Sequence, residues 1–153
     1  MTSDFEVADG IYIVQGEHQL DVHNNFAFQE VRYSVAERRA ALLWKRRPGA
    51  WVPVNTPAVL SILFEEVTEF RFGHRDPEMP FTEDDCVSAI GYLTDESWSH
   101  GAVLFGSDPE PHWLTAIEFQ SGAVIALRAD RATARIGSEK EVLRALGSRT
   151  PAA

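Results

Sequence analysis

The sequence has little of what marks a secreted, membrane or disulfide-linked protein. Its 153 residues include one cysteine, Cys86, so no disulfide can form within the chain. Apolar runs such as "AVIAL" at 123–127 are far shorter than the ~20 residues that cross a bilayer. The start, "MTSDFEVADG", lacks the basic and apolar regions of a signal peptide. These absences predict a cytoplasmic protein without a membrane span.

Motifs that carry chemistry are also absent. There is no EF-hand pattern, no His-Glu-x-x-His, no Gly-x-Ser-x-Gly and no glycine-rich phosphate-binding fingerprint. The sequence therefore points to no catalytic residue and no cofactor, and favours a non-enzymatic role.

What is present fits one soluble domain. Hydrophobic residues make up 44% of the chain and charged residues 24%. A chain of this length buries roughly 70% of its unfolded surface, which is enough for a core. We predict a single domain over residues 1–147 and a flexible tail at 148–153.

The charge is unevenly distributed. The net charge is −9, yet residues 65–118 carry thirteen acids and two bases, whereas residues 38–64 carry five bases and no acid. The acidic segment would be repelled by a phosphate backbone, so it predicts a basic protein partner rather than nucleic acid. The basic segment, with Trp44 and Trp51, suggests either contact with a single strand or pairing with the protein's own acids.

Alternation of apolar and polar residues predicts antiparallel strands. We expect a hairpin from Phe26 to Arg46, with Ala27, Gln29, Val31 and Tyr33 on one face, and a second hairpin around "QSG" at 120–122. Proline-rich 47–57 predicts a loop. A bend is expected near Glu65 and Glu66.

Helical signals are confined to the end of the chain. Ser138 and Glu141 form a capping-box pattern before an apolar stripe that ends at Gly147. Residues 82–93 fit a helix or a strand, and Gly91 favours the strand. The predicted fold is mainly β, an antiparallel open barrel or sandwich of about seven to nine strands with a short C-terminal helix. A pleckstrin-homology-like barrel is the alternative.

The segment "HRDPEMPFTEDDC" at 74–86 is the main candidate site. Its acids, with two acids of a later loop, form the predicted partner-binding set: Asp76, Glu78, Glu83, Asp84, Asp85, Asp108 and Glu110. Carboxylates with His74 or His112 are candidate metal ligands, although their spacing fits no known metal motif. A solvated surface loop is the simpler interpretation of the same residues.

Cys86 and the histidines give weaker signals. Asp84 and Asp85 precede the cysteine and would disfavour a thiolate, so we expect a buried thiol. His18, His23, His74, His100 and His112 are scattered along the chain, which favours structural or surface roles.

The segment "HNNFAFQEVRYSVAERRAALLWKRR" followed by "LSILFEEVTEFRF" carries a resemblance. Over about residues 23–72 it resembles small uncharacterised bacterial β-rich proteins, some of which look like immunity proteins of polymorphic toxin systems. The resemblance implies a sheet and brings no catalytic residue.

Three hypotheses follow. The first is an acidic, immunity-like or adaptor-like protein that binds a basic partner through its acidic loops. The second is a small-molecule-binding protein or metal-dependent enzyme of cupin-like or lipocalin-like shape, with histidines and acids inside a barrel. The third is a scaffold that forms a homodimer through its basic and acidic segments.

Overall fold

The computed structural model describes residues 1–100, 103–105 and 109–147, with only the backbone of Ser99 and His100. The predicted tail at 148–153 lies outside these residues. Neither described α-helix is long and apolar enough to span a membrane.

Most of the described chain is β-strand. The strands are β1 (Thr2–Ser3), β2 (Glu6–Ala8), β3 (Tyr12–Gln15), β4 (His18–Asp21), β5 (Phe26–Ser34), β6 (Arg39–Arg46), β7 (Val59–Glu65), β8 (Glu69–Gly73), β9 (Val87–Leu93), β10 (Leu114–Phe119), β11 (Val124–Arg128) and β12 (Arg131–Gly137). The helices are a 3-10 helix (Phe81–Asp85), α1 (Asp95–His100) and α2 (Glu139–Gly147).

The strands form three sheets. The first has the order β1-β12-β7-β6-β5, the second β8-β11-β10-β9 and the third β2-β3-β4. Every pairing is antiparallel except that of β1 with β12. The predicted mainly β, antiparallel fold is confirmed. The described sheets do not close into a barrel, in contrast to the pleckstrin-homology-like alternative.

The strand count exceeds the predicted seven to nine because of the N-terminus. Strands β5 to β12 account for eight of the twelve, and the first 21 residues supply four short strands. Each of those four has two to four residues, too few for alternation to identify a strand.

The first two sheets are joined by a shared corner. Strand β7 leads into β8, and β11 leads into β12. The two connections lie beside each other and are joined by backbone hydrogen bonds. Glu66 has φ of 56°. The amide of Thr68 donates to the carbonyl of Arg128 (2.9 Å), and that of Asp130 donates to the carbonyl of Glu65 (3.2 Å). The bend expected near Glu65 and Glu66 is confirmed.

The main core lies between these two sheets. Its largest fully buried side chains come from both layers and from β3: Ile13, Phe26, Leu42, Trp44, Leu60, Ile62, Phe64, Ile117, Ile125 and Leu127. Burial of such side chains contributes about 1.5–3 kcal/mol each, the dominant favourable term for a sheet protein.

The β5–β6 hairpin is confirmed, but its faces are not as predicted. The register shifts between Phe28 and Glu30, so Gln29 is a bulge residue. Phe28 and Val31 therefore both pack against the main core, although simple alternation puts them on opposite faces.

Of the two alternatives for residues 82–93, the strand is present and a helix extending to Leu93 is not. The 3-10 helix ends at Asp85, and β9 follows as the expected strand. The β10–β11 hairpin is also confirmed, with Gly122 at φ of 81° in its turn.

Two helices cover the outer faces. In α2, the Glu141 carboxylate accepts bonds from the Ser138 amide (3.0 Å) and hydroxyl (2.6 Å), which confirms the capping box, and Val142 packs on Leu43 and Val59. Helix α1 was not predicted. Its six residues place Trp98 against the outer side of the second sheet.

The outer edge of β9 is covered. The amide of Ile90 donates to the carbonyl of Gly10 (2.6 Å), and Tyr92 exchanges two backbone bonds of 2.8 Å with Leu104. A Cβ on Gly91 would lie 2.3 Å from the carbonyl oxygen of Leu104, so this close approach requires glycine.

Candidate functional site

The acidic loop, residues 74–86, connects β8 to β9 and lies against the β10–β11 turn. The Asp76 amide donates to the carbonyl of Ser121 (2.7 Å), and the Gln120 amide donates to the carbonyl of Cys86 (2.8 Å). Backbone bonds at both ends of the loop therefore hold it in a defined position.

Two of the predicted acids are neutralised by arginines. Asp84 lies 2.9 Å from Nε of Arg75, and Asp85 lies 2.7 Å from Arg47. The Arg75 guanidinium, helped by the Ser121 hydroxyl, holds the pKa of Asp84 below its usual value. These two ion pairs help to hold the loop in position.

Three other predicted acids keep their charge uncompensated. Asp76 and Glu78 are exposed, Glu83 is half-buried, and none of the three forms an ion pair within the described residues. The Asp76 carboxylate accepts the Glu78 amide (2.9 Å), which stabilises the turn. The net charge of the loop is thus concentrated on these three positions.

The predicted acids of the second loop are not joined to this site. Asp108 lies outside the described residues. Glu110 is exposed and lies 3.5 Å from Nδ1 of His112, and no hydrogen bond or ion pair of the described chain links it to the acidic loop.

The candidate metal ligands do not converge. His74 and His112 are both exposed. The part of the chain described contains no group of three or more histidine, cysteine, aspartate or glutamate side chains that could hold a metal ion. Within the described residues the buried polar side chains are those of Ser61 and Ser121, so no histidine or acid is fully buried there.

Cys86 and His23 lie side by side but cannot form a catalytic dyad in this arrangement. Sγ of Cys86 is 3.6 Å from Nδ1 of His23, and that nitrogen is 2.6 Å from the carbonyl oxygen of Val87. A carbonyl only accepts, so Nδ1 carries the hydrogen and cannot take the thiol proton. Burial raises the pKa of the Cys86 thiol, although Arg47 opposes this.

The basic segment is largely paired with acids of the same chain. Ion pairs join Arg38 to Glu66 (2.9 Å), Lys45 to Glu139 (2.8 Å) and, as above, Arg47 to Asp85. This favours internal charge pairing over a nucleic-acid surface, and leaves less basic charge for a homodimer.

Two exposed aromatic residues lie on these loops: Phe81 within the acidic loop, which was not expected as a site residue, and Trp51 in the proline-rich loop, which was considered only as part of the basic segment. Phe81 is 80% exposed, with the Arg75 guanidinium 4.4 Å from its ring centre. Trp51 is 67% exposed, and its Nε1 donates to the carbonyl of Asn24 (3.2 Å). The available signal was an aromatic residue next to prolines in each loop.

These two loops form one surface. The Arg47–Asp85 ion pair joins the proline-rich loop to the acidic loop. We call residues 47–57 and 74–86 together the loop end. It combines exposed aromatic rings with uncompensated carboxylates on loops fixed by hydrogen bonds.

Comparison with known proteins gives no match, since no family model, curated protein or solved structure matches this chain.

Proposed function

We propose that this protein is a non-enzymatic interaction protein whose loop end binds a basic protein partner. The observation that carries the proposal is the placement of exposed Phe81 on a short helix within a loop that also holds three uncompensated acids, Asp76, Glu78 and Glu83.

The physical basis is an apolar anchor with a charged surround. Interfaces are enriched in aromatic side chains at their centre and are polar at their rim. Uncompensated carboxylates accelerate the encounter with a basic surface and disfavour acidic competitors.

Preorganisation supports the same conclusion. The Arg75–Asp84 and Arg47–Asp85 ion pairs and the backbone bonds to the β10–β11 turn fix the loops before a partner arrives. Less conformational entropy is then lost on binding.

An inhibitor of a basic toxin is the concrete form of the proposal, and an acidic adaptor is another form of the same activity. The resemblance of residues 23–72 to immunity-like proteins supports the first. The proposal places the protein in the cytoplasm, where Cys86 stays a thiol.

The test is partner capture with charge-matched variants. In cytoplasmic extract of the native host at low salt, the wild type should retain a basic protein that is released at high salt. Glu78→Gln/Glu83→Gln should weaken its binding about three- to tenfold, and Phe81→Ala about tenfold.

Glu17→Gln/Asp130→Asn is the matched control, since both residues are exposed and lie outside the loop end. It should bind as the wild type does. The proposal fails if the two double variants lose the partner equally, or if no basic protein is retained at any ionic strength.

A further inference from the structure

A cleft of about 720 Å³ lies between the two main sheets, under the N-terminal segment 1–10. Its floor is formed by Ile62 and Phe64 of β7 and by Ile90 and Ile117 of the second sheet. Phe5 and Val7 line it from the N-terminal side. This volume falls within the range of roughly 300–1,000 Å³ typical of small-molecule sites.

The N-terminal segment is fixed over the cleft. The amide of Ala134 donates to the Asp4 carboxylate (2.8 Å), and Gly10 accepts the amide of Ile90 (2.6 Å). Asp9 and Gly10 adopt left-handed conformations, with φ of 50° and 71°. The N-terminal segment is therefore attached to the sheets at two points, Asp4 and Gly10.

The polar groups of the cleft are acidic. Glu6 and Asp9 line it, are exposed, and form no ion pair within the described residues. No lysine, arginine or histidine side chain of the described chain lines it. Tyr92 and Thr115 add hydroxyl groups.

We propose that this cleft binds a small molecule with an apolar body and a cationic group. The apolar body would cover the exposed apolar side chains of the lining, Val7 and Phe105, and this burial is the favourable term. The cationic group would remain near Glu6 and Asp9 at the solvent-exposed side, where its charge keeps its hydration.

Charge decides between this ligand class and a fatty anion of the same size. A carboxylate at that position would face two carboxylates of like charge. An uncharged molecule would gain only the free energy of burying its apolar surface, without attraction to the two carboxylates. Binding strength should therefore fall in the order cation, neutral molecule, anion.

Isothermal titration calorimetry with three probes tests the proposal. The full chain is titrated with decyltrimethylammonium below its micelle-forming concentration, with decanoate, and with tetramethylammonium, which lacks the apolar body. We expect one saturable site for the first probe, at least tenfold tighter than for either of the others.

Variants locate the site. Glu6→Gln/Asp9→Asn should weaken binding of decyltrimethylammonium about fivefold, and asparagine retains the left-handed conformation at position 9. Thr115→Trp, which fills the cleft, should abolish binding. Glu78→Gln/Glu83→Gln removes the same charge from the loop end and should bind as the wild type does.

Three results would overturn the proposal. They are equal affinity for decanoate, no saturable binding of decyltrimethylammonium, and unchanged affinity in Glu6→Gln/Asp9→Asn. Circular dichroism shows whether Thr115→Trp is folded, and binding that persists in the folded variant also overturns the proposal. Because the cleft and the loop end share no residue, either proposal can fail while the other stands.

Discussion

The loop end and the cleft both contain acids, but the surroundings of those acids differ. At the loop end, Arg75 and Arg47 neutralise Asp84 and Asp85, and the remaining charge borders exposed aromatic rings. At the cleft, Glu6 and Asp9 have no side-chain cation beside them and border a concave apolar floor. Formal charge along the sequence is therefore a poor guide to the charge that a partner or ligand meets.

The two regions also differ in how deeply their phenylalanine side chains are buried. This difference gives the largest expected effect on the free energy of unfolding. Phe64 is 1% exposed and belongs to both the cleft floor and the main core. Phe64→Ala should lower the free energy of unfolding by about 3–5 kcal/mol, because it removes buried contacts and leaves a cavity.

Phe81→Ala is the comparison variant, and should change the free energy of unfolding by less than about 0.5 kcal/mol. Urea denaturation followed by circular dichroism measures both. Similar losses in the two variants would contradict the distinction between a core ring and a surface ring.

The attachment of residues 103–105 to β9 can be broken by a substitution at Gly91. A Cβ placed there meets the Leu104 carbonyl at 2.3 Å, so Gly91→Ala should force the 103–105 segment away and cost about 1–3 kcal/mol. Hydrogen exchange at the Tyr92 amide should accelerate.

Gly147→Ala is its control, because apart from its chain neighbours and its own helix backbone no atom lies within 4 Å of a Cβ at that position. Its stability should stay within about 0.5 kcal/mol of the wild type. If Gly91→Ala were equally harmless, the close approach of the two segments would be wrong.

Glu118 provides a third environment for an acid, in addition to the loop end and the cleft. Burial raises the pKa of Glu118, which lies half-buried on β10. A raised folded-state pKa stabilises the fold below the unfolded-state pKa, and this contribution is lost as pH rises through the folded-state pKa.

Glu118→Gln should therefore be more stable than the wild type at pH 7, by less than about 1 kcal/mol, and should lose this advantage at low pH. Urea denaturation at pH 3 and pH 7 gives the comparison. A variant that gains stability only at pH 3 would reverse the sign and refute the assignment.

The smallest effect is expected at Asp84, whose pKa is lowered mainly by Arg75. A lowered folded-state pKa adds stability above the unfolded-state pKa, which is about 3.9 for aspartate, and this stability is lost as pH falls through the folded-state value. Wild type and Asp84→Asn should thus converge below pH 4, with the wild type more stable at pH 7.

Urea denaturation of the wild type and Asp84→Asn at pH 3 and pH 7 measures this change. A stability difference that stays the same between pH 7 and pH 3 would show that the arginine pairing has no effect.

Local patterns were sufficient to predict much of the fold. The β10–β11 hairpin follows from alternation around Gly122, and α2 follows from the Ser138–Glu141 capping box. Both signals act within a few residues, so the sequence carries them directly. The bulge at Gln29 and the six-residue α1 were missed because each depends on packing against distant strands.

The candidate site was less predictable for the same reason. The acids of 74–86 were visible in the sequence, but the neutralisation of Asp85 by Arg47 joins positions 38 residues apart. The acids of the cleft were not predicted as site residues. Glu6 and Asp9 come close to Ile90 and Ile117 only when the N-terminal segment folds over the sheets.

The pairing of Gly10 and Leu104 with the outer edge of β9 affects whether this edge can pair with another chain. An unprotected edge strand offers its amides and carbonyls to another chain, which is how sheets extend into fibres. Gly10 and Leu104 occupy those groups on β9. Proteolytic loss of the first ten residues would therefore free the Ile90 amide for pairing with another chain, while Leu104 would still cover Tyr92.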